Sequence, residues 1–110
     1  MNHFSRYAIY YAPPETDPLS EFSASWLGWD ANLGLQKPFI NLQGLRYDIS
    51  MITEEPRKYG FHGTLKPPFA LKTGKTHEEL LVAVGELAKS IKKFKIQKIQ
   101  LKTLNRFVAL

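Results

Sequence analysis

The sequence contains no cysteine, and it has only three histidines among its 110 residues. Without cysteine the chain has no disulfide framework, no thiolate nucleophile and no cysteine-ligated zinc. It also lacks any run of about 18 consecutive apolar residues, the length that a membrane-spanning helix requires. Because the N-terminus shows no basic-then-apolar signal pattern either, the expected compartment is the cytoplasm.

Acidic residues are scarce in the second half of the chain. Residues 57–110 carry twelve basic and three acidic side chains, whereas residues 1–56 carry three basic and seven acidic ones. This surplus of positive charge attracts anions, so phosphates and nucleic acid are candidate partners. The stretch from Gly28 to Gly34 contains no G-x-x-x-x-G-K-S/T phosphate loop, and nucleoside triphosphate hydrolysis therefore has no support.

The sequence does have enough apolar material for one folded domain, since it is 44% hydrophobic and 13% aromatic. Its apolar periodicity and its helix and strand breakers predict an α+β fold. The predicted elements are a strand over 6–12, a helix from Pro18 to Trp29 capped by Asp17, a loop over 31–44, a short element within 45–51, a strand-like stretch over 59–69, a helix opened by a Thr76–Glu79 capping box, a bulged strand over 94–101 and an apolar run over 107–110. In the first helix, Leu19, Phe22 and Trp26 are expected on the apolar face.

His62-Gly63-Thr64 is the one stretch in which a titratable base, a hydroxyl and uncrowded backbone meet. Residues i and i+2 of a strand project to the same face, so His62 and Thr64 are predicted to face one ligand. The imidazole can exchange a proton near neutral pH, and the hydroxyl can hydrogen-bond a phosphate oxygen. The alternative is an ordinary strand histidine beside an ordinary threonine.

Four nearby side chains are candidate substrate-binding groups. Lys66 would add positive charge on the same edge, and Arg57 could steer a phosphate toward the site. Tyr59 and Phe61 flank the motif and could stack on a base or a ribose. For the two rings the alternative is strand packing, and for Arg57 it is the solubility of a loop.

The string Tyr59-Gly60-Phe61-His62-Gly63-Thr64-Leu65-Lys66-Pro67-Pro68-Phe69 resembles the first histidine motif of the two-histidine (2H) phosphoesterase superfamily. More narrowly, it looks like an uncharacterised bacterial branch that is often encoded beside phosphonate-degradation genes. Further strings resemble the same branch, in the same order: Arg6 to Tyr10 with Ala12-Pro13-Pro14, Ala24 to Gly28 followed by Asp30, Glu55-Pro56-Arg57, and Leu104 to Leu110. The resemblance therefore spans nearly the whole chain.

This resemblance implies both a fold and a reaction. Members have two pseudo-symmetric lobes, and residues 1–110 would be the N-terminal one, a small and mainly antiparallel sheet with the Pro18 and Thr76 helices packed on one face. The implied activity is cleavage or formation of a phosphodiester, often in a cyclic nucleotide, without a metal or cofactor. One histidine removes a proton from the attacking group, the other protonates the leaving oxygen, and the threonines hold phosphoryl oxygens. The implied catalytic residues of this chain are His62 and Thr64.

The chain departs from this family because it has one histidine motif rather than two. His3 is followed by Phe4-Ser5 and His77 by Glu78-Glu79, so neither opens a second His-x-Thr strand. We therefore expect the second lobe to be absent. Three outcomes follow: an inactive truncated fragment, which is favoured, a homodimer that rebuilds the cleft by symmetry, or a half that pairs with a separate second lobe.

A different class of function is a non-catalytic anion-binding or RNA-binding module. Six lysines between residues 89 and 102 could contact a nucleic-acid backbone, although a solvated surface also explains them. Binding of that kind would weaken steeply with salt and would survive replacement of His62.

Overall fold

The computed structural model describes residues 6–110, which form two compact units, one ending at Leu71 and the other beginning at Lys72. Both helices and short antiparallel strands are present, so the predicted α+β class is confirmed. In chain order the elements are β1 (Tyr7–Tyr11), α1 (Pro18–Leu27), β2 (Trp29–Asp30), β3 (Leu35–Gln36), α2 (Ile49–Ile52), α3 (Glu54–Arg57), β4 (Gly63–Phe69), α4 (His77–Ser90), β5 (Lys102–Leu104) and β6 (Phe107–Ala109). The assignment of residues 1–110 to one lobe stays a prediction.

The described strands pair as three separate antiparallel ribbons, β1 with β4, β2 with β3 and β5 with β6. The antiparallel pairing is as expected, but the ribbons do not join into one small sheet. In the first unit, α1 contacts β2, α2 and α3. Helix α4 belongs to the second unit.

A pair of prolines shapes the ribbon of β1 and β4. Tyr7 lies opposite Phe69 and Ile9 lies opposite Lys66, so β4 has one residue more than β1 between these pairs, in the Pro67-Pro68 stretch. Proline has no N–H to donate, and sheets accommodate it at bulges and edges. A second register shift follows directly after Ile9. These two shifts decide which side chains of β4 share a face with which side chains of β1.

Helix α1 begins where the sequence predicts and ends two residues earlier. The Asp17 carboxylate caps the helix by accepting a hydrogen bond from the N–H of Leu19 at 2.8 Å. Gly28 ends it with a φ of 72°, in the left-handed region that glycine tolerates. The elements that cover α1 leave Phe22 exposed, although the periodicity places it on the apolar face. The buried residues of the helix are Ser23, Ala24 and Leu27.

The segment predicted as a loop over 31–44 contains a short strand. In the hairpin of β2 and β3, Asp30 pairs with Leu35. The Asp30 side chain is buried, and its carboxylate accepts hydrogen bonds from the N–H groups of Asn32 and Leu33 at 2.9 and 3.1 Å. Aspartate stabilises turns by such local bonds. The Asn and Gly residues that suggested a loop thus form the turn of a hairpin.

Arg57 ties α2 and α3 to the end of α1. Its Nε donates a hydrogen bond to the Leu27 carbonyl at 2.7 Å, and its Nη2 donates to the Ser50 carbonyl at 2.6 Å and to the Thr53 hydroxyl at 2.8 Å. The guanidinium lies 5.1 Å from the centre of the Phe39 ring, within cation–π range. Thr53 is only 1% exposed, so this cluster is the best-buried polar contact of the first unit. It fixes the backbone that leads toward β4.

Helix α4 opens the second unit with the predicted capping box. The Thr76 hydroxyl accepts from the Glu79 N–H at 3.2 Å, and the Glu79 carboxylate accepts from the Thr76 N–H at 2.8 Å. The Lys75 ammonium donates to the same carboxylate at 3.1 Å. The Thr76 N–H, followed by the Lys75 ammonium, holds the pKa of Glu79 below its ordinary value of 4.5. Helix α4 has no fully buried residue, and no helix within residues 6–110 is long and apolar enough to cross a membrane.

The strand predicted over 94–101 is not formed, and this prediction was wrong. Residues 91–101 have no regular structure, and their large apolar side chains, from Ile91 to Leu101, are 54–76% exposed. An alternating pattern forms a strand only where a partner strand pairs with it. Strands β5 and β6 pair with each other around Asn105, whose φ of 55° suits a tight hairpin turn. The apolar run that begins at Phe107 forms strand β6.

We expect Arg57→Ala to lower the free energy of unfolding by about 1.5–3 kcal/mol, because hydrogen bonds from a charged donor to two backbone carbonyls and a buried hydroxyl are lost. Urea unfolding followed by tryptophan fluorescence measures this change. Lys58→Ala is the matched control, since the Lys58 ammonium contacts only the exposed Glu55 carboxylate, at 2.8 Å. Equal losses in the two variants would show that Arg57 does not hold these segments together.

Acidification should loosen the first turn of α4. A carboxyl with a lowered pKa stabilises the fold in its ionised form, so this contribution is complete above the ordinary value of 4.5 and is lost as the pH falls below it through the lowered pKa. The ¹³Cα secondary shifts of residues 77–80 between pH 7 and pH 2 report the loss. Glu79→Gln should flatten this titration, whereas Glu78→Gln should leave it as in the wild type. An unchanged titration in Glu79→Gln would contradict the assignment.

Candidate functional site

His62 lies immediately before β4, at the point where the chain leaves a left-handed turn. Gly60 forms that turn with a φ of 71° and is buried. A Cβ placed on Gly60 would lie 2.8 Å from the Cβ of Ala31, so there is no room for a larger residue. The turn brings the Gly60 carbonyl back to the imidazole, whose Nδ1 lies 2.9 Å from that oxygen. A glycine two residues before the histidine therefore sets the orientation of the ring.

This contact determines which imidazole nitrogen is available for chemistry. A carbonyl oxygen only accepts hydrogen bonds, so Nδ1 of His62 must carry the hydrogen. The other nitrogen, Nε2, then holds a lone pair in the neutral ring and a proton in the charged ring, while the bond to Gly60 is kept in both states. His62 is thereby arranged to take up or release a proton at Nε2 without rearranging its contact with the backbone.

Thr64 and Tyr10 share a face of the ribbon with His62. Tyr10 lies opposite Thr64 in the pairing of β1 with β4, and directly opposed residues project to the same side. The Tyr10 ring stacks on the imidazole, with centroids 3.9 Å apart and planes inclined by 23°. Gly63 lies between His62 and Thr64 in the chain, and nothing lies within 4 Å of the position that a Cβ on Gly63 would take. The predicted pair of His62 and Thr64 is thus brought together, with an aromatic ring beside it.

Tyr10 was not among the residues that sequence reasoning singled out. Its position in the first strand signals only an aromatic, strand-forming residue. The register that places it opposite Thr64 depends on two shifts in β4, and neither shift can be read from the spacing of apolar residues. The nearest signal in the sequence is a predicted strand over 6–12 that contains three tyrosines.

The structure does not bring Lys66 to this group. Lys66 lies opposite Ile9, the neighbour of Tyr10 in β1, and consecutive strand residues project to opposite faces. Its ammonium lies 5.3 Å from the centre of the Phe69 ring, on the face that carries Ile9. The expectation that Lys66 follows Thr64 on one edge assumed a regular strand, and the bulge interrupts that alternation.

The other three candidate side chains have different surroundings. Tyr59 is 62% exposed, and its ring centre lies 6.5 Å from that of His62, so it flanks the imidazole. Phe61 lines a small cavity with Leu27 of α1 and with Asp30, away from the ring stack. Arg57 directs its Nε and Nη2 at protein groups, as described above. Tyr59 is therefore adjacent to His62, whereas Phe61 and Arg57 contact other parts of the first unit, in the segment that precedes β4.

The sequence has two further histidines. His77 is the first residue of α4 and belongs to the second unit, and His3 lies outside the described residues. Across residues 6–110, no three His, Asp or Glu side chains are placed to hold a metal ion together. The candidate site consists of His62, Thr64, Tyr10 and Tyr59.

Comparison with known proteins links the chain to a family and to two longer relatives. Residues 64–110 match the model of a family described as "Protein of unknown function (DUF1045)". The chain is 33% identical over 107 residues to a "Ribose 1,5-bisphosphate phosphokinase PhnN" of Janthinobacterium sp. (strain Marseille), and 32% identical over 105 residues to a protein of the same name from Laribacter hongkongensis (strain HLHK9). Each match covers 96% of this chain but only 24% and 25%, respectively, of the relative. The chain thus spans about a quarter of the length of the curated relatives that it matches, and no solved structure matches it significantly.

The name of these relatives directs attention to Gly74-Lys75-Thr76, which has the residue types that end a phosphate-binding loop. Such a loop has a glycine five residues before the second glycine, and Phe69 occupies that position here. The Thr76 hydroxyl and the Thr76 N–H are both engaged with Glu79, and so is the Lys75 ammonium. The Glu79 carboxylate therefore occupies the Thr76 N–H and the Lys75 ammonium, and the Glu79 N–H occupies the Thr76 hydroxyl, so the segment is a capping box.

Gly60→Ala should destabilise the first unit and disturb His62. A left-handed conformation costs a non-glycine residue about 1–2 kcal/mol, and the contact with Ala31 adds to that cost. Gly34→Ala is the matched control, because Gly34 has a φ of 65° and nothing lies within 4 Å of the position that its Cβ would take. Urea unfolding should show the larger loss in Gly60→Ala, and the second change Ala31→Gly should recover the difference. Equal losses at the two glycines would exclude the steric contact.

Proposed function

We propose that this chain carries one half of a phosphodiester-processing site, in which His62 transfers a proton and Thr64 binds a phosphoryl oxygen. The observation that supports this most directly is the contact of Nδ1 with the Gly60 carbonyl, 2.9 Å long, which leaves Nε2 available. In-line displacement at phosphorus needs proton transfer at the attacking or leaving oxygen and donors for the equatorial oxygens. An imidazole nitrogen and a threonine hydroxyl on one face of a ribbon meet part of that need.

In this proposal each group has a defined task. Neutral His62 accepts at Nε2 the proton of an attacking water or hydroxyl, and in the reverse sense the protonated ring donates to a leaving oxygen. The Thr64 hydroxyl donates a hydrogen bond to a phosphoryl oxygen as negative charge develops there. The exposed Tyr59 ring offers a surface for a base or a sugar. A second proton-transfer group comes from a partner segment, either a second copy of the chain or another His-x-Thr lobe.

The proposed substrate is a small phosphodiester of a sugar or nucleotide within phosphonate metabolism. The resemblance of residues 59–69 to a branch encoded beside phosphonate-degradation genes supports this assignment. The two relatives named PhnN, whose name gives a phosphorylated ribose as their substrate, support it as well. Kinase activity is not transferred to this chain, because its Gly74-Lys75-Thr76 segment is a capping box.

The basic surface of the second unit favours a second candidate, a non-catalytic RNA-binding module. In residues 92–106, Lys92, Lys93, Lys95, Lys98, Lys102 and Arg106 are all exposed, and none has an ion-pair partner among the described residues. Cations without partners attract a phosphate backbone. Affinity for single-stranded RNA that falls steeply with salt, and that is equal in the wild type and His62→Ala, would support this candidate.

The first proposal predicts that the protein hydrolyses a 2′,3′-cyclic nucleotide and that His62→Ala lowers the rate about 10²–10⁴-fold, because a general acid or base is lost. Thr64→Val should lower kcat about 10²–10³-fold, since one oxyanion donor is removed with little change in shape. Phosphate release measured at several protein concentrations, with molar mass from light scattering, tests both.

His77→Gln is the control for these variants, because it changes a histidine of α4 that opens no His-x-Thr motif, and its rate should equal that of the wild type. A rate per chain that rises with the dimer fraction would support a site shared by two copies. Absence of turnover at every concentration would exclude a site shared by two copies of the chain, and turnover that survives His62→Ala would contradict the proposed function.

A further inference from the structure

The stacked ring of Tyr10 has no part in the proton transfer or phosphate binding proposed for His62 and Thr64. Its centroid lies 3.9 Å from that of the His62 imidazole, which is at the close end of aromatic ring separations. Tyr10 is 41% exposed, so the stack is at the surface rather than in a core where many contacts would hold both rings. No other ring of the described residues approaches His62 as closely, since Tyr59 is 6.5 Å away and tilted by 48°.

One hydrogen bond does not fix the orientation of an imidazole. The bond from Nδ1 to the Gly60 carbonyl holds one edge of the ring, but a hydrogen bond tolerates a range of angles, so the ring can still swing about its side-chain torsions within that range. A face-to-face neighbour narrows this freedom, because turning the imidazole would separate the two ring faces. With both contacts in place, one edge of the imidazole is held by the Gly60 carbonyl and one face by the Tyr10 ring.

We propose that Tyr10 is a positioning residue for His62: its stacked ring, together with the Gly60 carbonyl, holds the imidazole in the one orientation that keeps Nδ1 on that carbonyl and Nε2 free for proton transfer. The catalytic consequence of this inference rests on the proposed function, whereas the orientation of the ring does not. The stack requires the aromatic face and not the tyrosine hydroxyl. Replacing the ring by an aliphatic side chain should therefore release the imidazole, and phenylalanine should retain it.

The register of the ribbon supplies a matched control on the same strand. Tyr7 projects with Ile9 to the other face, where its ring lies 6.3 Å from that of Phe69. Tyr10→Ile and Tyr7→Ile each remove one tyrosine ring from β1 and introduce a β-branched residue that strands accept. Only the first of these variants removes the neighbour of His62.

The test is the state of the His62 ring, observed by NMR through long-range ¹H–¹⁵N correlations and ring-to-ring nuclear Overhauser effects. The wild type should show the Nδ1–H form, cross-peaks between Tyr10 and His62, and ring-current shifts of the imidazole protons. Tyr10→Phe and Tyr7→Ile should keep the Nδ1–H form. Tyr10→Ile should show averaging of the two neutral forms, and its kcat on a cyclic nucleotide should fall about 2- to 10-fold at unchanged KM, the range expected for one aromatic pair.

Each result decides the inference. Absence of the cross-peaks in the wild type would overturn it without any variant, so it stays testable even if Tyr10→Ile does not fold. A single Nδ1–H form that persists in Tyr10→Ile would also overturn it, because the carbonyl alone would then suffice. If the NMR pattern is as expected while turnover survives His62→Ala, the positioning role stands and the proposed function fails.

Discussion

The antiparallel pairing of β1 with β4 is the contact on which the candidate site depends. Tyr10 comes from β1, Thr64 comes from β4, and His62 stands at the entrance of β4, so the three meet only in the observed register. Two shifts of the pairing register occur within the seven residues of β4, and they decide which of its side chains project to each face of the ribbon. They place Thr64 with the imidazole and Lys66 with Ile9. The register of the backbone pairing therefore decides which residues of β4 lie beside Tyr10 and which lie beside Ile9.

A second layer of contacts holds the start of β4 in place without taking part in the site. Arg57 binds the carbonyl at the end of α1 and the carbonyl of Ser50, and three residues later Gly60 makes the turn that faces Ala31. These contacts are short-range and directional, so they fix where the chain stands when it reaches His62. An arginine that the sequence offers as a phosphate-steering group is at the same time the residue that anchors this approach. The sequence alone does not distinguish a phosphate-steering arginine from an anchoring one, because the difference lies in the partners of its guanidinium.

Features set by local chemistry could be predicted from the sequence, whereas features set by pairing could not. The Asp17 cap, the capping box of Thr76 and Glu79 and the strand-like stretch over 59–69 depend on neighbours a few positions away. The structure has both caps, and it has a strand over residues 63–69 of the predicted stretch. The face of Lys66, the stack on Tyr10 and the fate of residues 94–101 depend on partner strands. The alternating apolar residues of 94–101 would form a strand beside a partner strand. Within the described residues, no strand pairs with this segment.

The Pro67-Pro68 pair limits how the ribbon can grow. Neither Pro67 nor Pro68 has an N–H group, so this stretch offers no donor to either edge of β4. The loss coincides with the bulge between the Tyr7 and Ile9 pairs. Before the prolines, β4 has N–H groups only over residues 63–66. Any strand that joins the outer edge of β4, whether from another segment or another molecule, is therefore restricted to a short ladder beside Thr64, and open-ended addition of strands past the prolines is blocked.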